Sequence, residues 1–360
     1  MRKQKTISEA NASSETIPND DAWMEDDDDA YLESIAGRLS EREQHEIALL
    51  EAVKSVYVPC GRDKELEVML GKFVKVMLAK KNGERDDGRI FFITGESGAG
   101  KTAAIARALS RNVALQPQVR SFGTVRPVIS VSLSGGAVTL KMVGLQIARA
   151  AGYPLKTTLG QSEVWDRLPE ILHQRRVLII HIDETQHVLK RTDTDQERKS
   201  LGKALKGLAN YKPWPLSFIL SGTPETTEIA RLDQQWERRG SDFLPLTDVR
   251  MPEEKVLVDR MIRAMTGAID MSSDRLIASD VPERIAHAAR YRYGRIAQVI
   301  LSAVHVAIHK GATELTREHF AYAYLELSHA RGRDEMNPFL VDDWQRLAPG
   351  SFIMEEVRDT

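Results

Sequence analysis

The 360-residue chain has little of what marks secreted, membrane or repetitive proteins. It holds one cysteine, Cys60, which excludes a disulfide framework and is typical of a reducing compartment. No apolar run approaches the roughly eighteen residues that a membrane span needs. The basic start, residues 1–5, leads into polar residues and not into a signal-peptide pattern. We therefore expect a cytoplasmic protein without a membrane partner. Its length and 42% hydrophobic content predict two domains, or one domain with a lid.

The formal net charge of −2 hides an uneven distribution. Residues 1–33 hold ten acidic and three basic side chains, which leaves 42 acidic and 47 basic ones, about +5, in the rest. Because the acidic segment lacks hydrophobic periodicity, we predict a disordered tail over 1–38. A tail that competes with DNA for a basic surface and a tail that only aids solubility both fit this composition. The mildly basic remainder is compatible with nucleic-acid contact without requiring it.

A glycine-rich run at positions 95–102 is the most informative segment. It follows a short apolar stretch, 90–93, and precedes the helix-like stretch 103–109, which is the order that a nucleotide phosphate site requires. Glycines allow backbone N–H groups to close around phosphate oxygens, and the helix directs its positive end at the same anion. The alternative is a flexible turn before an ordinary helix. The predicted phosphate-binding residues are Gly95, Glu96, Ser97, Gly98, Ala99, Gly100, Lys101 and Thr102.

Two of these side chains are expected to act on the triphosphate of ATP and its Mg²⁺ ion. Lys101 would reach the β- and γ-phosphates, and the Thr102 hydroxyl would complete the Mg²⁺ shell. A later apolar stretch, 177–182, ends in Asp183 and Glu184. At the carboxyl end of a parallel strand, Asp183 would hold the Mg²⁺ shell, and Glu184 would polarise the attacking water. The sequence therefore predicts an ATPase that forms ADP and phosphate.

Three further elements are candidates for contacts with the γ-phosphate. Ser221 or Thr223, after the apolar stretch 216–220, would offer a polar group, although either could equally belong to an ordinary turn. Arg238 or Arg239 would enter a neighbouring subunit's site and neutralise developing charge, unless both are solvated. Arg295, at the start of a helix, would fold back onto the phosphates of its own subunit.

The pattern of elements predicts an α/β fold with a mostly parallel sheet covered by helices on both faces. Strands are predicted near 90–93, 126–133, 177–182, 216–220 and 242–246, and helices alternate with them. Beyond position 252 only helical patterns remain, near 253–267, 281–290, 294–309 and 316–329. We therefore predict an ATP-binding domain with a helical lead-in over 39–251, a helical lid over 252–330 and a C-terminal tail over 331–360.

Over roughly 55–330 these residues resemble the AAA+ ATPase superfamily. The segment from Val58 to Glu65, with its Gly-Arg-x-x-Glu pattern, is similar to the lead-in of the origin-recognition and transposition branch. The resemblance implies that the backbone at Val58 contacts adenine. The phosphate loop, Asp183-Glu184, the Ser221–Thr223 turn, the arginine pair and Arg295 follow the order of that superfamily's site elements.

A narrower resemblance is to the TniB/TnsC-type ATPases of bacterial transposons. It is carried by the runs 183–189 and 220–225, by the following Asp233 to Arg239, and by Asn337-Pro338-Phe339. These proteins resemble the phage Mu B protein. The resemblance implies an ATP-dependent homo-oligomer on double-stranded DNA, a ring or helical filament, that marks a target site and activates a transposase partner.

The positions that touch DNA are not fixed by the sequence. In the resembled branch, DNA lines the inside of the assembly and its phosphates are contacted without sequence preference. The basic candidates, each of which could also be an ordinary surface residue, are Arg107, Arg111, Arg120, Arg126 and Lys141.

Two other functions compete with this interpretation. A nucleotide-gated signalling or adaptor ATPase would recruit protein partners without touching DNA. A replication-initiator or helicase-loading ATPase would normally carry a winged-helix domain after the lid, and only about thirty residues follow position 330 here.

Overall fold

The structure is a computed structural model that describes residues 21–121, 123–133, 139–187, 195–229, 241–328 and 334–349. Its internal contacts divide the chain into two compact units, Met1–Ala52 and Val53–Thr360. Among the helices within the described ranges, none combines the length and the hydropathy that crossing a bilayer requires.

The first unit contains helix α1 (Asp21–Ala36) and most of α2 (Glu41–Lys54). Helix α1 lies inside the segment 1–38, for which the sequence analysis predicts a disordered tail. The side chains at 28–35 are all exposed, so this part of the helix buries no apolar face. Before α2, the Ser40 backbone N–H donates to the Glu43 carboxylate at 2.9 Å, and the Glu43 N–H donates to the Ser40 hydroxyl at 3.4 Å. This reciprocal pair is a capping box.

The second unit begins with an α/β region. Its helices are α3 (Gly61–Leu78), α4 (Lys101–Arg111), α5 (Leu140–Ala150), α6 (Gln161–Gln174) and α7 (Asp195–Ala209). Its strands are β1 (Lys80–Lys81), β2 (Glu84–Arg85), β3 (Ile90–Thr94), β4 (Gln118–Arg120), β5 (Gly123–Val125), β6 (Val128–Ser132), β7 (Ile179–Asp183), β8 (Ser217–Gly222) and β9 (Asp242–Pro245).

Five of these strands form one parallel sheet in the order β6-β7-β8-β3-β9. Each was predicted from its apolar run. In this order β3, which precedes the glycine loop, is hydrogen-bonded to β8, and β8 separates it from β7. Because all five run in the same direction, their carboxyl ends meet at one edge of the sheet, where ligands of open α/β sheets bind. The other strands form two short antiparallel pairs, β1-β2 and β4-β5.

Alternating side chains of the strands supply two cores, one on each face of the sheet. On β7, Ile180 and Ile182 pack with the buried side chains of α5, α6 and α7. Ile179 faces the opposite core, which is formed with α3 and α4. Since side chains alternate along a strand, His181 and Asp183 lie on the same face as Ile179, toward α4. This alternation places His181 and Asp183 on the face of the sheet that α4 covers.

A helical region follows the sheet, as predicted. It consists of α8 (Lys255–Gly267), the short α9 (Asp274–Ile277), α10 (Val281–Ala288), α11 (Tyr293–His309) and α12 (Arg317–Ser328). Its core contains fully buried side chains from α8, α10, α11 and α12, such as Ile262, Ile285, Ile300 and Phe320. Residues 334–349 cover part of this region, where Phe339 is 1% and Trp344 8% exposed.

Candidate nucleotide site

The glycine loop lies between a fully buried strand and an amphipathic helix. All five residues of β3 are buried, and α4 begins at Lys101, so the last two residues of the glycine-rich run 95–102 lie in its first turn. Lys101 is 5% exposed, and its Nζ donates to the carbonyl oxygens of Gly95 at 2.8 Å and Glu96 at 3.1 Å. Burial lowers the pKa of Lys101, although the Glu184 and Asp183 carboxylates act in the opposite direction. The amine is therefore held inside the loop by groups that an anion can replace.

Two glycines give the loop its shape. Gly98 and Gly100 have φ angles of +85° and +84°, in the left-handed region that side chains disfavour. A Cβ atom at Gly98 would lie 2.6 Å from Cγ of Arg295. A Cβ at Gly100 would lie 3.2 Å from the Tyr293 ring. Glycine at both positions lets the loop curve and lets the start of α11 approach its backbone closely.

Thr102 and Asp183 meet across the loop and the sheet. The Thr102 hydroxyl donates to Oδ2 of Asp183 at 2.6 Å. The other carboxylate oxygen, Oδ1, accepts from the Ser221 hydroxyl at 2.5 Å and from the Glu184 N–H at 2.9 Å. Burial raises the pKa of Asp183, but the hydrogen bonds from Ser221 and Thr102 outweigh it, and the net shift is downward. The carboxyl group is therefore ionised at neutral pH, as a metal ligand must be.

Glu184 has an unusual backbone and a restrained side chain. Its φ of +55° lies in the left-handed region, which is uncommon for a residue other than glycine. The Gln186 side-chain amide and the His187 imidazole, whose Nε2 lies 3.4 Å away, both contact its Oε2. Gln186 also accepts from the Thr223 N–H at 3.2 Å through its own Oε1. Gln186 thus joins Glu184 to the end of β8, a connection that the sequence did not reveal.

Ser221 and Thr223 have different surroundings. Ser221 is fully buried, and its hydroxyl is occupied by Asp183 and by Nε2 of His181 at 2.8 Å. Thr223 is half-buried, and within the described residues its buried Oγ1 has no hydrogen-bond partner. Of the two predicted γ-phosphate contacts, only Thr223 therefore has a hydroxyl available for a new bond.

The first turn of α11 packs against the glycine loop. The backbone N–H of Arg295 donates to the Gly98 carbonyl at 3.2 Å, and the Arg295 side chain packs against Gly98. Burial lowers the pKa of Arg295, and the nearby charges of Arg292 and Arg290 lower it further. Arg292, which no sequence motif marks, donates to the Ser97 carbonyl at 2.9 Å. Two cationic side chains from one turn thus contact the loop that is predicted to hold phosphate.

The lead-in segment reaches the same turn. The Val58 carbonyl, the predicted adenine contact, accepts from the Tyr293 hydroxyl. The Arg62 guanidinium stacks on the Tyr293 ring at 4.0 Å, and its three buried nitrogens have no acceptor in the described part of the chain. Arg62 Nη2 lies 3.5 Å from the position of a Cβ on Gly100. Because a buried cation without an acceptor is costly, Arg62 is a further candidate for contact with an anionic ligand.

The other predicted positions either lie away from the glycine loop or fall outside the residues that the structure describes. Arg238 and Arg239 fall in 230–240, outside the described residues. Two of the basic DNA candidates have ordinary surface partners: Arg111 pairs with Glu67 at 3.0 Å, and Lys141 Nζ donates to the Thr157 carbonyl at 2.7 Å. Arg107 stacks on the Tyr57 ring, Arg120 lies on the exposed hairpin β4-β5, and Arg126 is exposed.

The residues that are present fit a magnesium–triphosphate ligand. The described residues contain no group of three or more His, Cys, Asp or Glu side chains that could hold a metal by themselves. Magnesium sites of nucleotide-binding proteins instead use one or two protein oxygens together with phosphate oxygens and water. The Thr102–Asp183 pair supplies two such oxygens beside the buried amine of Lys101. Bound there, the ion would neutralise phosphate charge.

One family model and several solved structures are similar to this chain. Residues 84–230 match a family model described as an AAA domain. No curated protein matches the sequence. Cdc6p from Pyrobaculum aerophilum is a similar solved structure, with a TM-score of 0.55 at 13% identity, over 77% of this chain and 70% of that chain.

Two structures from Aeropyrum pernix are also similar. The ORC1 protein in complex with DNA gives a TM-score of 0.55 at 20% identity, over 80% of this chain and 71% of that one. The ORC2 protein in ADPNP–ADP complexes gives 0.52 at 14% identity, over 76% and 70%. At such identities the similarity concerns the fold alone. Together with the five-stranded parallel sheet and the helical region after it, it shows that this chain has the AAA+ P-loop NTPase fold.

Proposed function

We propose that this protein is an ATP-dependent, DNA-binding AAA+ ATPase that regulates DNA transposition through assembly on DNA. Nucleotide binding is supported most strongly by the 2.6 Å hydrogen bond between Thr102 of the glycine-rich run and Asp183, beside the buried amine of Lys101. These three groups come from segments about eighty residues apart in sequence, and they converge at the carboxyl edge of the sheet.

The triphosphate would be bound between the sheet and the helical region. Residues 95–102 would enclose its phosphates, and Lys101 would contact the β- and γ-phosphates. Arg295 would contact the phosphates from the helical side, and the Val58 backbone would contact the base. This arrangement makes the helical region, 252–330, the lid of the ATP-binding domain, 39–251.

Glu184 is the group we assign to the attacking water. It directly follows Asp183 in the sequence, its side chain is partly exposed, and Gln186 and His187 orient the carboxylate. Thr223 would bind the γ-phosphate through its unoccupied hydroxyl. Arg238 or Arg239 would complete the site of a neighbouring subunit, and ATP would thereby connect one protomer to the next.

Binding to double-stranded DNA and a role in transposition rest on the sequence resemblance to TniB/TnsC-type ATPases. A regulator that marks target sites without reading their sequence needs phosphate contacts, which arginine and lysine provide. Its transposase partner would be recruited to the assembled form. Hydrolysis would then disassemble the oligomer.

The test is binding of the full chain to fluorescent mixed-sequence duplex, measured by anisotropy with ATP, ADP or no nucleotide at two salt concentrations. ATP should strengthen binding, high salt should weaken it, and Lys101→Ala should abolish the ATP effect. Lys212→Ala is the matched control, because Lys212 is a surface lysine paired with Asp87 and lies outside the site. Glu184→Gln should bind ATP and give long-lived complexes.

The assay also separates the competing function. If the protein binds ATP but ATP does not increase DNA binding at either salt concentration, the transposition proposal is wrong and a protein-recruiting adaptor is favoured. If Glu184→Gln hydrolyses ATP at the normal rate, Glu184 does not activate the attacking water. The proposals on ATP binding and DNA binding would be unaffected by that result.

A further inference from the structure

A row of polar side chains crosses three strands beneath the phosphate-loop helix. Ser130 on β6 lies 3.2 Å from Nδ1 of His181 on β7, and Nε2 of His181 lies 2.8 Å from the hydroxyl of Ser221 on β8. The Ser221 hydroxyl continues to Oδ1 of Asp183 at 2.5 Å. His181 is 4% exposed and Ser221 is fully buried, whereas Ser130 is exposed on the edge strand. The row therefore connects the edge of the sheet to the predicted metal-binding carboxylate.

Counting hydrogens fixes the direction of the bonds that join Asp183, Ser221 and Nε2 of His181. An ionised Asp183 carboxylate can only accept, so the single hydroxyl hydrogen of Ser221 is used in the bond to Oδ1. The Ser221 oxygen must then accept from His181, which requires a hydrogen on Nε2. With Nε2 protonated, Nδ1 of the neutral ring is the acceptor for the Ser130 hydroxyl. All members of the row are satisfied in this one arrangement.

The location of the row indicates what it does. Asp183 has two carboxylate oxygens with separate partners: Oδ1 is bound by β8 and by the Glu184 N–H, and Oδ2 faces Thr102. Rotation of the carboxylate would exchange these partners. A Ser221 hydroxyl that is itself held by His181 opposes this rotation, because groups behind a metal ligand fix its orientation.

We infer that His181 and Ser221 are positioning residues that hold the Asp183 carboxylate, with Oδ2 presented to Thr102 and to the metal ion. This inference rests on the proposed binding of magnesium–ATP. It also assigns Ser221 to Asp183 and leaves Thr223 as the hydroxyl for the γ-phosphate. Neither residue touches the nucleotide, so substituting them should change how strongly nucleotide affinity depends on magnesium.

The test compares His181→Phe, His181→Gln and Ser221→Ala with the wild-type full chain. The affinity for a fluorescent ATP analogue is measured in EDTA and across a magnesium titration, and Tm is measured in EDTA. Loss of a residue behind a metal ligand typically weakens metal affinity by about 10- to 100-fold. We expect half-saturating magnesium to rise by about that factor in His181→Phe and Ser221→Ala, while affinity in EDTA stays unchanged. Glutamine can place an amide N–H near the position of Nε2, so His181→Gln should recover most of the loss.

Ser217→Ala is the matched control. Ser217 is a buried serine at the opposite end of β8, 1% exposed, and its oxygen accepts from the Arg89 N–H. Its substitution should leave the magnesium dependence unchanged. A second readout needs no metal: ¹⁵N spectra of histidine-labelled protein in EDTA should show the His181 ring as the Nε2–H tautomer, with the signal assigned by its loss in His181→Gln.

Several results would overturn the inference. One is a normal magnesium dependence in a folded Ser221→Ala protein, a variant that removes a single oxygen and avoids the larger change of His181→Phe. Another is an Nδ1–H tautomer for His181. An equal rise of half-saturating magnesium in Ser217→Ala would show that these polar side chains act only through general packing of the sheet. If the wild-type protein binds no ATP with or without magnesium, the proposed function fails first, and the tautomer measurement still decides the hydrogen bonding.

Discussion

Substitution of Gly98 by alanine tests whether the close contact between the glycine loop and Arg295 matters for nucleotide binding. The new methyl group would have two effects. At a φ of +85° a side chain costs about 1–2 kcal/mol of folding free energy. Its Cβ would also lie 2.6 Å from Cγ and 2.9 Å from Nε of Arg295. Since Cγ is near the base of that side chain, Arg295 must leave its present position, which adds about 1–3 kcal/mol.

Gly83 separates these two effects. Its φ is +88°, and a Cβ there meets nothing within 4 Å, so Gly83→Ala carries the backbone cost alone. Thermal unfolding should show a lower Tm for both variants, with the larger decrease for Gly98→Ala. In a titration with a fluorescent ATP analogue, Gly83→Ala should bind normally. Gly98→Ala should bind more weakly by about 10- to 100-fold, since a hydrogen bond from a charged group contributes about 1.5–3 kcal/mol. Equal Tm changes together with unchanged ATP affinity would refute the contact and the role of Arg295.

Two other predictions concern the helical region and the interface between subunits. Arg284 is 3% exposed and donates to the carbonyls of Pro338 and Val341, so Arg284→Ala should lower the free energy of unfolding by about 2–4 kcal/mol. In a denaturant titration the exposed control Arg275→Ala should cost less than about 1 kcal/mol, and equal losses would contradict the anchoring role. A protein carrying both Arg238→Ala and Arg239→Ala should lack ATPase activity alone and regain part of it when mixed with Lys101→Ala subunits. No recovery on mixing would exclude arginines that act in a neighbouring subunit.

Local patterns explain why much of the fold was predictable. The parallel strands appear as short apolar runs, and the loop at 95–102 is a contiguous motif with its strand and helix beside it. Elements that are very short or that contain a contrary signal were missed. Helix α6 contains Pro169 in its interior, which argues against a helix, and the pairs β1-β2 and β4-β5 are only two or three residues long.

Residues that depend on distant partners were missed in the site as well. His181 occupies one position of an apolar strand, and its role depends on serines 51 and 40 residues away in the sequence. Arg62 was part of a recognised motif, but only the fold shows its guanidinium on the ring of Tyr293. Ser221 and Thr223 looked equivalent in the sequence, and the hydrogen bonds of Ser221 distinguish them. Side-chain partners across strands are set by register, which a single sequence does not contain.

The most direct measurement of the central claim is sedimentation velocity of the full chain with labelled mixed-sequence duplex. We expect large DNA-bound species with magnesium–ATP, smaller ones with ADP, and none above the single-chain size for Lys101→Ala. A wild-type protein that stays a monomer at saturating ATP and duplex would contradict it, because a triphosphate shared between protomers must join them.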